Sequence, residues 1–339
     1  MWSNPERDTL WHPVYGERSS VRDYYHEVVV HLGKADLPKQ ELHLVIRAYN
    51  EGIAMRYFFP EQPEGGAYVR ITLEKTEFTL PDETIAYVAP FAQADYRAVP
   101  LTSWSTEAER PLTLVLKSGL YACLAEAEMV NYSITKFKLS TEKPNTIQCS
   151  QYDAVEETAP FATPWRVIMV AEKAGDLLEH NDLILNLNPP CAIDRPGWIK
   201  PGKVIREITL STTGAKASIN FAAQHNIQYV EFFEQVPTVW DETKVIHGEI
   251  GKYITIARRS GDRWFIGAIT NVEQRTLEIP LSFLPKGKHY QASIYSDDRA
   301  VPTRTKVRID RKQVDASSIP TATSLPSGGE AIRLESIMK

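Results

Sequence analysis

Glu231 and Glu234 are the residues whose type and spacing come nearest to chemistry, three positions apart where the extended segment Ile227 to Phe232 gives out. Two carboxyl groups held against one substrate can divide the roles of proton donor and base or nucleophile. Three residues apart suits one helix face, but both lie in or beside an extended segment, so their relative direction stays open. Solvated edge or seam residues are the plainer expectation. Asp241 and Glu242 sit in Pro237-Thr238-Val239-Trp240-Asp241-Glu242-Thr243 and read as a cap or ion pair. His225 follows an amphipathic helix and reads as a surface or helix C-terminal interaction. Lys203 and Arg206 could meet an anion, though solvent exposure is the simpler expectation. No serine nucleophile elbow is present. Gly197, Gly202, Gly248 and Gly251 lack the strand-to-helix context of a phosphate loop. No catalytic, cofactor-binding or metal-binding residue is assigned on these grounds.

The elements that would position these groups are few. Lys203 to Ile208 predicts a strand, and Ser211 or Thr212 can cap a helix with Ala215, Ile219, Ala222 and Ala223 on one face. Ile227 to Phe232 predicts a second strand. A right-handed crossover would join them, with one face and both edges left to be covered by something else. Directly afterwards Val236 to Trp240 returns the chain to antiparallel patterning. A (β/α) barrel takes roughly 250 residues and draws its chemistry from loops after several strands. One helix and two strands fall far short of that.

Upstream, period-two alternation predicts strands at Tyr25 to Leu32, Leu42 to Ala48 and Ile53 to Phe59, with Asn50-Glu51-Gly52 as a turn. Further strands are expected at Tyr68 to Glu74, Ile85 to Ala89, Leu112 to Leu116, Leu120 to Ala125, Ile134 to Leu139 and Trp165 to Ala171. Gly175 to Leu178 predicts a turn or short helix, and Asp182 to Asn188 an apolar strand that ends at Pro189-Pro190. From there to Gly202 the chain reads as a surface connector, in which the Trp198 indole would need a pocket. Downstream, Tyr253 to Arg258, Trp264 to Thr270, Thr276 to Leu281, Tyr290 to Ser296, Thr305 to Ile309 and Ala331 to Glu335 predict a sandwich. Ser260-Gly261-Asp262 is a hairpin turn, and Val314 to Gly329 is expected to loop.

The 339 residues are 43% apolar, enough for sizeable cores. With 38 Lys plus Arg against 43 Asp plus Glu, the net charge of -5 and the lack of a basic stripe argue against a nucleic-acid partner. Cys123, Cys149 and Cys191 lack the spacing of a disulfide framework or zinc knuckle and read as buried thiols. No leader-like apolar segment opens the chain, and no run of eighteen apolar residues occurs. As written, the chain is expected in the cytoplasm, away from membranes.

Three long blocks carry a resemblance: Trp11-His12-Pro13-Val14-Tyr15-Gly16, Arg47-Ala48-Tyr49-Asn50-Glu51-Gly52-Ile53-Ala54-Met55-Arg56-Tyr57, and Thr163-Pro164-Trp165-Arg166-Val167-Ile168. They resemble the amino-terminal super-sandwich of glycoside hydrolase family 97. Trp198 to Lys203 is similar to that family's entry into its catalytic barrel. Pro237 to Thr243 and Ala257 to Trp264 are similar to the barrel exit and the carboxy-terminal sandwich. The resemblance implies an α-glucosidase or α-galactosidase lineage, calcium-dependent and exported to the periplasm, working through carboxylates on barrel strands and loops. The chain departs from the pattern by beginning inside the first sandwich, by passing from about the second barrel strand to the barrel exit, and by carrying Pro189 where relatives have a calcium-binding glutamate.

The expected fold is therefore mainly β, with residues 1–190 a partial super-sandwich, 191–244 a connector and (β/α)8 remnant, and 245–339 a C-terminal sandwich. Glycoside hydrolysis needs an acid and a second carboxylate about 5 to 9.5 Å apart. The barrel that carries such a pair in the family is mostly missing here, so no independent activity and no cofactor are expected, calcium belonging to the resembled family. The alternatives are an α-glycosidase completed by another chain, a noncatalytic carbohydrate-binding protein, or an unstable deletion product. Partners would be an α-linked oligosaccharide, or self-association or a complementing chain through the remnant strands. Trp11, Tyr15, Tyr24, Tyr25, Trp165 and Trp198 are candidates to stack on sugar, while Trp240 and Trp264 are expected to join the seam to the last sandwich.

Overall fold

The computed structural model describes residues 6–34, 37–61, 68–198, 211–214, 216–217, 235–302 and 306–337. The strand–helix–strand segment containing Lys203, Arg206, His225, Glu231 and Glu234 lies almost wholly outside them. Of that segment, residues 212–214 and 216–217 are helical, and the Ser211 hydroxyl accepts a hydrogen bond from the Gly214 amide at 3.0 Å. The chain forms two compact units, one of residues 1–10 with 22–191 and the other of residues 11–21 with 192–339. Both are mainly antiparallel β.

The first unit holds β1 (Glu6–Trp11), β2 (Val21–Lys34), β3 (Leu37–Ala48), β4 (Gly52–Phe59), β5 (Tyr68–Ile71), β6 (Glu77–Thr79), β7 (Ile85–Val88) and β8 (Arg97–Pro100). These are followed by β9 (Leu112–Val115), β10 (Tyr121–Ala127), β11 (Thr135–Leu139), β12 (Thr146–Gln151), β13 (Val155–Thr158), β14 (Phe161–Ala162) and β15 (Trp165–Ala171). Its main sheet runs β1-β2-β3-β4-β15-β10-β9-β7-β8, with β14 paired to β4. A three-stranded sheet, β11-β12-β6, packs over one face.

Strands β10 and β15 are central and apolar on both sides. Ala122 and Leu124 face Phe137, Ile147 and Cys149 of the small sheet. Cys123, Ala125 and Ala127 face the other way, with Trp165, Val167 and Met169, toward α1 (Ala174–Glu179) and α2 (Asp182–Asn186). Alternation along a strand sends successive side chains to opposite layers, so burial on both faces makes these strands nearly continuous in apolar residues. Gly52 opens β4 because a Cβ there would run into the Ile168 carbonyl oxygen across the β4–β15 pair.

The expected strand at Asp182 to Asn188 is instead helix α2. Leu183 within it and Leu187 at its C-cap are four apart, and both are buried in the cluster that contains Trp165. That is the spacing of one helical face, and burial of each contributes roughly 2 kcal/mol.

The second unit holds β16 (Glu242–Glu249), β17 (Tyr253–Ser260), β18 (Arg263–Thr270), β19 (Arg275–Glu278), β20 (Tyr290–Asp297), β21 (Val307–Val314), β22 (Thr321–Ser324) and β23 (Gly329–Ser336). Six of them form a sheet in the order β16-β17-β18-β23-β20-β21, and β19 pairs with β22. The core between these layers contains Trp264, Ile266, Ile279, Leu281, Tyr290, Ile332 and Leu334. Strand β22 corrects the expected loop over Val314 to Gly329: its Ala322 and Ser324 are fully buried. The expected hairpin at Ser260-Gly261-Asp262 forms, with Gly261 at φ +60° and Ser260 opposite Arg263.

Residues 11–21 belong to this second unit. Gly16 makes a parallel bridge to Val239, and its carbonyl accepts from the Trp240 amide at 3.1 Å. The Thr243 hydroxyl donates to the Glu17 carbonyl at 3.0 Å, and the Glu17 carboxylate pairs with Arg258. An N-terminal segment thus closes the start of the C-terminal sandwich.

Candidate functional site

Strand β15 carries the densest functional geometry of the first unit, because Trp165 and Arg166 point to its two opposite faces. Arg166 is buried, with its side chain 1% exposed. Its Nε and Nη2 donate to the two oxygens of Glu74 at 2.8 and 2.6 Å, a bidentate fork. Its Nη1 donates to Glu126 at 2.7 Å, from the residue directly opposite on β10. Glu126 also pairs with Arg110, Arg110 with Glu109 at 2.8 Å, and Glu109 with Lys136 at 3.2 Å. Three cations thus alternate with three anions.

Burial raises the Glu74 carboxyl, but hydrogen bonding to Arg166, its charge, and the hydroxyls of Thr76 and Tyr132 outweigh this and hold it below the ordinary carboxylate range. Burial likewise disfavours the Arg166 cation, yet Glu74 more than compensates and raises its pKa. Glu74 therefore remains an ionised acceptor. A proton donor needs the opposite environment, one that favours the neutral acid.

On the other face, the Trp165 indole is fully buried and donates to Glu128 at 3.1 Å. Arg56 donates to the same oxygen at 2.7 Å and lies 4.3 Å from the Trp165 ring centre. Arg47 stands 4.7 Å from that ring and 4.2 Å from the Tyr25 ring, and pairs with Glu27 at 2.8 Å. Guanidinium groups over aromatic faces gain electrostatically from the ring quadrupole. Burial lowers the Arg56 pKa, with Glu128 opposing it. Glu128 itself adopts φ +57°, and its amide donates to Asn188 Oδ1 at 3.2 Å.

The asparagines before Pro189 are committed in the same way. Asn186 Nδ2 donates to the Arg22 carbonyl at 2.9 Å, and Asn188 Nδ2 to the Ile184 carbonyl at 2.7 Å. Pro189, which follows them, brings no side-chain oxygen, the donor type that hard calcium takes.

An open recess of about 370 Å³ lies between Asn131 to Ile134 and Tyr152 to Glu156. Tyr132 forms part of its wall and links it to the Arg166 network through a 3.5 Å contact with Glu74. Tyr152 is 74% exposed at its rim. The recess offers an aromatic face, hydroxyls, an amide and two carboxylates, a set suited to a polyol.

Of the candidates named from sequence, Trp165 and Tyr25 are buried in the protein interior and Tyr15 is exposed. The Tyr24 ring meets His26 edge-on at 5.6 Å and the Arg22 guanidinium at 4.6 Å. Trp198 ends a one-turn 3-10 helix, Pro196–Trp198. In the second unit, Asp241 accepts from the Gly261 amide at 2.7 Å, and Glu242 pairs with Lys244 at 2.7 Å and Arg259 at 3.1 Å. Trp240 meets Phe265 edge-on at 5.5 Å, while Trp264 packs against Phe283 at 4.7 Å. Cys123 and Cys149 are buried thiols, each pushed up to about 12 chiefly by burial; Cys191, expected to be buried, is exposed because it lies in the connector.

Sequence reading missed the Glu74, Glu126 and Glu128 partners. The available signal was Glu126 and Glu128 within the apolar run Ala122 to Ala127 and just beyond it, since a carboxylate on a doubly buried strand demands a cation.

The first unit is a helix-backed antiparallel super-sandwich with a charge network at its heart, and the second is a sandwich of a six-stranded and a two-stranded sheet. Residues 2–190 match the glycosyl-hydrolase 97 N-terminal domain, and residues 239–335 match the glycosyl-hydrolase 97 C-terminal, oligomerisation domain. The chain belongs to glycoside hydrolase family 97.

A retaining α-galactosidase of Bacteroides thetaiotaomicron is 46% identical over 66 residues, 20% of this chain and 10% of that protein. A probable retaining α-galactosidase of Streptomyces bingchenggensis is 24% identical over 238 residues, 64% of this chain and 36% of the relative. The chain thus spans about a third or less of the length of these curated relatives. Among solved structures, a family 97 enzyme of Pseudoalteromonas sp. in complex with acarbose superposes with a TM-score of 0.86 at 17% identity, covering 100% of this chain and 92% of that one. A beta-arabinopyranosidase gives a TM-score of 0.73 at 14% identity, covering 98% and 91%. At such identities the likeness concerns the fold alone. Among the described residues, no helix is long and apolar enough to cross a membrane.

Proposed function

We propose that this chain is a family 97 protein of the α-glucosidase and α-galactosidase lineage that retains the β domains and lacks independent hydrolytic activity. One observation carries the reading: only residues 191–238 separate the two family-matched segments. A (β/α)8 barrel takes roughly 250 residues, and its strand-end loops supply the catalytic groups. Residues 191–244 are read as a connector with a barrel remnant, between a super-sandwich over 1–190 and a sandwich over 245–339. The ion-paired states of Glu74 and Glu126 add support, since carboxylates locked to arginine are poor proton donors.

The test is an assay of the purified chain on nitrophenyl α-glucoside and α-galactoside, with calcium present and chelated. No release above a heat-denatured control is expected. Saturable release that coelutes with the chain on size exclusion, without a second polypeptide, overturns the proposal.

The Tyr152-rimmed recess favours one second reading, noncatalytic contact with an α-linked oligosaccharide. Calorimetry with panose and acarbose, carried by relatives of the same fold, checks it. Weak binding that Tyr152→Ala abolishes supports it, and absence of heat on both ligands rejects it. The oligomerisation description of the domain matched by residues 239–335 supports self-association of the chain, read by light scattering.

A further inference from the structure

On the paired strands β2 and β3, four residues from Glu27 and Arg47, His31 and His43 are direct cross-strand partners. Their rings lie 4.1 Å apart. Glu41 is two residues before His43, so both side chains project from the same side of β3. The Glu41 carboxylate reaches the His43 Nε2 at 3.4 Å. The three residues place one ligand atom each within 4.8 Å of one another. We propose that His31, Glu41 and His43 form a surface site for a borderline divalent transition cation such as zinc.

The donor set decides the class of ion. Two imidazole nitrogens and one carboxylate oxygen suit zinc, copper or nickel, whereas calcium and magnesium favour shells built from oxygen. Zinc takes nitrogen and carboxylate ligands at about 2.0 to 2.2 Å, so the observed separations close through small side-chain rotations without moving the strands. His31 and Glu41 are exposed and His43 partly buried, which leaves water to fill the remaining position.

The surroundings favour order at the site. Cross-strand pairing sets the distance between the two histidine Cβ atoms through backbone hydrogen bonds rather than through flexible side chains. The His43 ring packs 5.7 Å from Phe58, its partner on β4, which limits its rotamers on one side. The next pair along the same face is Val29–Val45, so the triad is not part of a general histidine-rich surface. A metal here would clip the two longest strands of the first unit together.

The experiment uses the full chain without a polyhistidine tag, stripped with chelator, and titrated calorimetrically with zinc in a noncoordinating buffer. One equivalent with micromolar affinity is expected. His43→Asn should weaken it at least tenfold and Glu41→Gln less, while Cys191→Ser and His247→Asn should leave it unchanged. Circular dichroism of each metal-free variant, and its melting temperature, establish that the fold persists. Absence of the zinc equivalent in the parent chain, or its retention in His43→Asn, overturns the proposal. Neither outcome depends on hydrolysis or sugar binding.

Discussion

Arg166 and Glu74 lie 92 residues apart in sequence and meet in the interior as a two-bonded fork, with N–O distances of 2.8 and 2.6 Å. Both side chains are almost wholly buried, 1% and 6% exposed. Such a pair is weak evidence for net stability, since desolvation offsets much of its attraction, but removing one member leaves a stranded charge.

Arg166→Met is therefore expected to destabilise the first unit by about 3 to 5 kcal/mol, because Glu74 loses its buried cation and Glu126 is left with Arg110 alone. Arg166→Lys keeps the charge without the fork and should lose less. Urea unfolding followed by Trp fluorescence reads the order, parent above Lys above Met. Equal midpoints for all three would reject the network as a structural requirement.

Glu330 gives a pH dependence in the second unit. It is 5% exposed and accepts from Ser296 at 3.0 Å, and its pKa is pushed up to about 7, chiefly by burial. The folded state therefore holds a proton that the unfolded chain releases near pH 4.5. Stability from this group is fully present below about pH 4.5 and declines as pH rises through 7, with a total of roughly 3 kcal/mol. Glu330→Gln should flatten that decline, so that the variant gains on the parent between pH 5 and pH 8 in thermal melts. An unchanged slope would contradict the assignment.

Gly52→Ala tests the close approach of β4 to β15. The added methyl meets the Ile168 carbonyl oxygen and the Met169 Cα. A loss of about 1 to 3 kcal/mol is expected, as for other overpacked positions. Gly33→Ala, where a Cβ meets nothing within 4 Å, serves as the control and should melt near the parent.

Thiol labelling distinguishes the three cysteines. Cys191 is exposed and should react with a disulfide reagent at once in the native protein. Cys123 and Cys149 are buried with thiols raised to about 12, so they should react only on unfolding. Cys191→Ser should abolish the fast phase; two or more fast thiols would contradict the packing of the main sheet.

Local pattern made much of this fold legible. Alternation in Tyr25 to Leu32, Leu42 to Ala48 and Ile53 to Phe59 lies within strands β2, β3 and β4, and Gly261 marks the β17–β18 hairpin. The failures share a cause. Asp182 to Asn188 was too short and too apolar for its period to separate strand from helix, and packing of Leu183 and Leu187 beneath Trp165 decided for the helix. β22 was hidden among Ser, Pro and Thr because its fitness as a strand comes from pairing with β19, a partner more than forty residues away.

The amino-acid sequence by itself determined the family, the β character of both units and the shortness of the stretch between them, because each is written in contiguous residues and their periodicity. Tertiary structure alone decided what the charged residues do. Glu126 in its apolar run signals that a cation is needed but not which one, and Glu74, His31, Glu41 and His43 give no such signal in their separate segments. Strand pairing brings side chains distant along the chain within a few ångströms, and at that range burial and the nearest opposite charge or lone pair, not the neighbours in sequence, set each group's chemistry.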